Sequence, residues 1–166
     1  MKLKEIELLT SQLKQWGNFN SGILFFIKEI CKKNNWPYGE IWLPDKNDEY
    51  MIWLSFWSKN EDYFERFSKF SSLHKFAKGI GLIGKSWEEK KLLYLEDISK
   101  AEDFLRSEIA PVRGLNSVIC FPFIFNDRIL CLLSIFLNKI SHEDKENVNI
   151  LFNQSFNICK VLANLD

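Results

Sequence analysis

Two apolar runs, Ser117 to Phe123 and Ile129 to Leu137, constrain the fold more than any other feature of the chain. Each is strand-length and almost continuously apolar, and Asn126-Asp127 between them supplies turn chemistry. They are read as a hairpin at the centre of a sheet that is covered on both faces. Pro122 cannot donate to a ladder, so it predicts a bulge or a locally unpaired position in the first run.

A second hairpin is read upstream. In Tyr38 to Leu43, Ile41 and Leu43 alternate with Glu40 and Trp42. In Met51 to Trp57, alternation sends Ile52, Leu54 and Phe56 one way and Met51, Trp53 and Trp57 the other. Pro44-Asp45-Lys46-Asn47-Asp48 is the loop between them. A short strand is read at Leu92 to Leu95.

Helical periodicity surrounds these strands. Leu3, Ile6, Leu9, Leu13 and Trp16 fall at spacings of three and four, and Gly17 and Asn18 end that helix. A second helix starts near Asn20 or Ser21, turns Leu24, Ile27 and Cys31 inward, and stops before Pro37. Asn60 to Leu73 carries Tyr63, Phe64, Phe67 and Phe70 at helical spacing. Gly79, Gly81 and Gly84 mark a tight connection, followed by a short helix at Lys85 to Lys90. A further helix is read over Glu102 to Ala110, ended by Pro111. Ser141 with Asp144 resembles a capping box opening a last helix that runs to about Ala163.

The expected fold is therefore α+β in one domain over residues 1–166. Residues 1–35 hold the N-terminal helices, 36–137 the sheet and pocket region, and 141–165 the C-terminal helix. Lys plus Arg number 22 and Asp plus Glu number 22, so no basic excess points to nucleic acid. The first residues lack the apolar core of a signal peptide, and no run is long enough for a membrane span. Cys31, Cys120, Cys131 and Cys159 lie scattered in apolar stretches with no CxxC pair, so reduced, buried thiols and a cytoplasmic location are expected.

The succession Trp36-Pro37-Tyr38-Gly39-Glu40-Ile41-Trp42-Leu43-Pro44, then Gly79 to Trp87, then Tyr94-Leu95-Glu96-Asp97, resembles GAF domains, particularly those preceding bacterial signalling output domains. The resemblance continues through Phe104, Arg106, Ala110, Gly114 and Leu115 and closes on Phe121-Pro122-Phe123 and the strand from Ile129. It implies a central antiparallel sheet of five or six strands. Terminal helices would cover one face, and a helix and loop region would close a pocket on the other. Ile83 and Pro111 depart from the family pattern in segments that shape the pocket, so no relative's ligand is carried over.

The family's bilin binders need a cysteine near the helix before the penultimate strand. Residues 102–114 hold neither Cys nor His, so covalent bilin is not expected and the cofactor stays unknown. Its free methionine sulfoxide reductases need a thiolate in the glycine-rich loop, and Gly79 to Gly84 has none. The expectation is a noncatalytic module. It would bind a small ligand, a protein partner, or both, through dimerisation or a separate output protein. A scaffold with a filled pocket is the alternative.

Trp53, Phe67, Phe70, Phe76, Trp87, Tyr94, Phe104 and Phe121 are the candidate pocket lining, with Asp97 and Arg106 as its polar groups. Their rings either line a cavity or fill it. Glu40 or Asp97 is expected to pair with Arg106, because a buried charge needs a partner. His74 is the one histidine placed to face the pocket. The candidate dimer surface comprises Leu3, Ile6, Leu13, Val148, Leu151, Phe152 and Cys159.

Overall fold

In the computed structural model, which describes residues 1–102 and 104–165, six strands form one antiparallel sheet. The strands are β1 (Tyr38–Pro44), β2 (Tyr50–Ser58), β3 (Lys75–Ala77), β4 (Leu93–Leu95), β5 (Ser117–Phe125) and β6 (Arg128–Leu137). Their order is β3-β2-β1-β6-β5-β4, so the two hairpins read from sequence meet along β1 and β6 at the centre. Both central strands are paired on either side, which is why their sequences are apolar on both faces.

Helices α1 (Leu3–Gln12), α2 (Phe19–Asn34), α5 (His142–Asn153) and α6 (Ser155–Leu162) pack on one face, here called the back. Ile23, Phe26, Ile27 and Ile30 of α2 meet Ile41, Phe123, Leu133 and Ile135 of the sheet there. The front face carries α3 (Glu61–Ser72), α4 (Gly81–Glu89) and a run of turns between β4 and β5. No helix among the described residues is long and apolar enough to cross a membrane.

Several local expectations change. The first helix ends at Gln12 and finishes in a 3₁₀ turn, Leu13–Gln15. Asn18 does not merely stop it; its side chain accepts from the Ser21 amide and opens α2 at Phe19. Leu24 is only half-buried on α2, whose inward face is set by Ile23, Phe26 and Ile30. The last helix breaks at Gln154 into α5 and α6, while the capping box at Ser141 and Asp144 is formed. Helix α4 begins at Gly81, inside the glycine-rich turn. Gly79 and Gly81 have φ of +77° and +61°, and a Cβ on Gly84 would lie 2.1 Å from the Ala77 carbonyl oxygen. That close approach seats α4 against β3, a short edge strand the periodicity did not reveal.

The expected helix over 102–110 is absent from the described part of that segment; Asp103 lies outside the described residues. Turn bonds run Ser107 to Phe104 and Ile109 to Arg106, with one helical-type bond from Ala110 to Arg106, and Pro111 to Arg113 forms a 3₁₀ turn. Phe104, Arg106 and Ala110 are all buried by these turns.

Alternation along β2 also fails at one point. Ile41 faces Ser55 but Trp42 faces Trp53, leaving Leu54 unmatched in a bulge. The extra residue turns Phe56 onto the same face as Trp53, with ring centroids 6.2 Å apart, and leaves Leu54 and Trp57 packed on the back. In β5, Pro122 stays in register opposite Leu132, and the expected irregularity falls just beyond it, between Phe123 and Ile124. Strand β4 covers only Val118 to Cys120, so Pro122 sits where β5 has become an edge.

Candidate functional site

Strand β1 sends Tyr38, Glu40 and Trp42 to the front, because residues two apart share a face. Glu40 is 0% exposed and Arg106, brought in by the turn segment, is 1% exposed. Arg106 Nη1 donates to Glu40 Oε2 at 2.6 Å and to Ser71 Oγ at 2.9 Å. Tyr38 Oη donates to Glu40 Oε1 at 3.0 Å, and Trp42 Nε1 donates to Oε2 at 3.2 Å. A buried carboxylate is tolerated only with a cation and donors around it, and here both oxygens are satisfied.

The guanidinium is boxed by rings. Its central carbon lies 4.9 Å from the Phe136 centroid, 5.2 Å from Phe104, 5.5 Å from both Trp42 and Phe67, and 6.0 Å from Phe76. Arginine on aromatic faces gains from the ring quadrupoles, more so when water is excluded. The space left beside it, lined by Phe76, Ile83, Phe104 and Arg106, is about 10 Å³, no more than a single water needs. The chamber is filled from within.

Burial, with Glu40 as the next cause, holds the Tyr38 phenol well above its ordinary range, so it remains a donor. Cys120 faces the same side, within 3.9 Å of Ser134 Oγ. Burial pushes its thiol up to about 12. Cys159 is likewise pushed up to about 12 by burial, and burial raises Cys31 and Cys131 as well. Thiolate chemistry needs the opposite environment. No group of three or more His, Cys, Asp or Glu able to hold a metal occurs among the described residues.

The sequence candidates divide. Phe67, Phe76, Phe104 and Arg106 come together in the cage. Trp53 and Trp87 pack in the adjoining front cluster, with Lys78 Nζ 4.7 Å from the Trp87 ring. Phe70 lies outside the chamber, its ring 4.5 Å from His74, whose Nδ1 meets the Phe70 carbonyl at 2.8 Å. Phe70 lies in the last turn of α3 and His74 just beyond its end.

Besides Phe70, three more pocket candidates are corrected. Phe121 points to the back, against Phe123, because its parity on β5 is opposite to that of Cys120. Tyr94 also packs against the back cluster, under Lys145. Asp97 is not Arg106's partner; it caps a 3₁₀ turn through Ser99 and pairs with Lys100 at 2.9 Å.

The proposed dimer stripe is corrected too. Ile6, Leu13, Val148, Leu151 and Cys159 are buried in the back core, consumed by the sheet of their own chain. Only Leu3 stays exposed, at 45%, with Phe152 half-buried. Residues missed by the sequence reading are Tyr38, Trp42, Ser71 and Phe136. Tyr38 and Trp42 were findable, since each stands two residues from Glu40 on a strand. Ser71 and Phe136 carried no signal of their own.

A six-stranded antiparallel sheet, with helices from both chain ends behind it and a capped chamber in front, defines a class of small α+β domains built around an internal site. The GAF domain family model matches residues 23–154, and the chain belongs to that family. Among solved structures, the GAF domain of a phosphoenolpyruvate-protein phosphotransferase from Coxiella burnetii is similar over 97% of this chain and 92% of its own, with TM-score 0.74 and 16% identity. The corresponding Acinetobacter domain gives 97%, 92%, 0.70 and 14%. The free methionine-R-sulfoxide reductase of Neisseria meningitidis, solved with its substrate, covers 95% of this chain and 85% of its own, at TM-score 0.73 and 12% identity. At these identities the likeness is one of fold. No curated protein matches the chain in sequence.

Proposed function

We propose that the chain is a noncatalytic regulatory GAF module whose chamber is closed by its own arginine and whose output is contact with another protein. The observation that carries this is the Glu40–Arg106 pair, which occupies the chamber and leaves no room for a ligand beside it. Family membership supports a sensory or regulatory role in general terms. Against a reductase reading stand four buried thiols with raised pKa values and a glycine-rich turn without cysteine.

Output through a partner, a second copy or a different protein, is favoured by apolar side chains left at the surface around the chamber. Leu73 is 81% exposed and Val112 72%. With Phe70 and Ile109 they line a groove of about 650 Å³ where α3 meets the turn segment.

Native mass spectrometry of the protein purified from its source tests the proposal. The expected spectrum shows no retained small molecule and a population bound to a second polypeptide chain. Turnover of free methionine sulfoxide would overturn the noncatalytic reading, and a strictly monomeric, unaccompanied chain would overturn output by association.

A further inference from the structure

We propose that the ring-lined space at Glu40 is a latent receptor site for a small organic cation bearing N–H donors, a guanidinium or a primary ammonium, that competes with Arg106 for it. The proposal draws on the regulatory reading only for its consequence. Its chemistry stands on the cage alone.

The receptor and its present occupant come from different parts of the fold. Glu40 and Trp42 lie on β1, Phe136 on β6, Phe76 on β3, and Phe67 and Ser71 on α3. Only Arg106 and Phe104 come from the turn segment, which has no regular secondary structure between Phe104 and Ala110. If that segment withdraws, Glu40 keeps its bonds from Tyr38 and Trp42, so the acceptor stays oriented. What it loses is its counter-charge. A buried carboxylate stripped of its cation is strongly disfavoured, so a neutral or anionic occupant does not replace Arg106.

The bonding pattern narrows the class. One nitrogen, Nη1, serves both Glu40 Oε2 and Ser71 Oγ. A replacement must therefore offer two N–H groups from one nitrogen inside an aromatic box. Guanidinium and primary ammonium ions do so; a quaternary ammonium, otherwise suited to aromatic cages, does not. The remaining space of about 10 Å³ rules out binding beside Arg106, so occupancy requires exchange. Exchange would move the segment carrying exposed Leu105 and, after it, Val112, and would thus alter the surface around the chamber.

Because the wild-type site is open for only a fraction of the time, its apparent affinity is reduced by that fraction. The test is titration of the whole protein with methylguanidinium, followed by indole fluorescence, with tetramethylammonium and acetamide at matched ionic strength as controls. A saturable change with methylguanidinium alone is expected. Arg106→Ala, which removes the competitor, should saturate at a concentration lower by about tenfold or more, and Glu40→Gln should abolish the response.

If Arg106→Ala does not fold unaided, methylguanidinium should refold it where tetramethylammonium does not. The proposal is overturned if tetramethylammonium acts like methylguanidinium on either protein. It is equally overturned if Arg106→Ala neither binds more tightly nor is refolded. Native mass spectrometry of the untitrated protein reads association separately, so loss of either reading leaves the other standing.

Discussion

The two faces of the sheet are built on opposite principles. The back is a single apolar core in which four helices bury Ile, Leu, Phe and Cys side chains against β1, β5 and β6. The front is divided. One cluster gathers around Tyr38, Phe67 and Phe136, another around Trp42, Phe76 and Trp87, and the Glu40–Arg106 pair sits with them. The back is closed by four helices, whereas the front is closed partly by turns. A core of apolar side chains gains stability with every buried group and specifies nothing about charge. A buried ion pair adds little net stability but fixes which group occupies the centre. Both faces bury apolar side chains, but only the front buries an ion pair among them.

That division is broken most severely by removing one charge. Arg106→Ala or Glu40→Ala should destabilise the domain by about 3–5 kcal/mol, since each leaves an unpaired buried charge. Replacing both together, Glu40→Leu with Arg106→Met, should restore most of that loss. Urea unfolding of the three variants checks this, and a double variant no more stable than the singles would mean that the pair is not the unit. On the back, Ile135→Ala should cost about 2–5 kcal/mol, and no second substitution at Glu40 or Arg106 should relieve it. Additivity between the faces is the expected result for Ile135→Ala combined with the double variant.

Smaller effects separate the faces through their thiols. Cys31, Cys131 and Cys159 belong to the back core and Cys120 to the front. All four thiols have raised values in the folded chain, with Cys120 and Cys159 pushed up to about 12 from an ordinary 9.0. Raised acids stay protonated in the native state while the unfolded chain releases its protons, so stability is complete below pH 9 and falls as pH rises towards 12. Each such thiol contributes a slope of about 1.4 kcal/mol per pH unit in that window. Unfolding free energies from pH 8 to 11 should fall accordingly, and Cys159→Ala should remove one proton from the slope. In native alkylation read by mass spectrometry, Cys120 should be modified first, since turns rather than helices close part of the front and less regular structure must be released to reach it. Modification of Cys31 before Cys120 would reverse the assignment of the two faces.

The back was the more legible face in the sequence. Its strands and helices carry ordinary periodicities, so both hairpins, the terminal helices and the capping box at Ser141 could be read directly. The same periodicity misassigned the surface: Ile6, Leu13, Val148 and Leu151 form a stripe whether a sheet or a second copy covers it. On the front, Glu40 and Arg106 were identifiable as buried charges, but the choice of Glu40 over Asp97 as the partner of Arg106 depends on a contact 66 residues apart. The bulge at Leu54, which moves Phe56 across the sheet, leaves no mark in composition. Segment 102–110 is read as a helix up to Pro111, yet its described part forms turns with Phe104, Arg106 and Ala110 all drawn inward, so tertiary burial there overrides local propensity.

The smallest effect offers the sharpest comparison, since two equivalent caps hold the two faces. Asn18 accepts from Ser21 at the start of α2 on the back, and Asn60 accepts from Tyr63 at the start of α3 on the front. Both are Asn caps on exposed helix starts, so Asn18→Ala and Asn60→Ala should each cost about 1 kcal/mol globally. Their local consequences should differ. Helix α3 supplies Phe67 and Ser71 to the cage, so fraying its first turn loosens the wall that holds Arg106. Alkylation of Cys120 should therefore accelerate in Asn60→Ala beyond what the global loss of stability predicts. In Asn18→Ala its acceleration should match that loss alone. Equal acceleration in both variants would mean that Cys120 is exposed only by global unfolding, and that the front has no opening of its own.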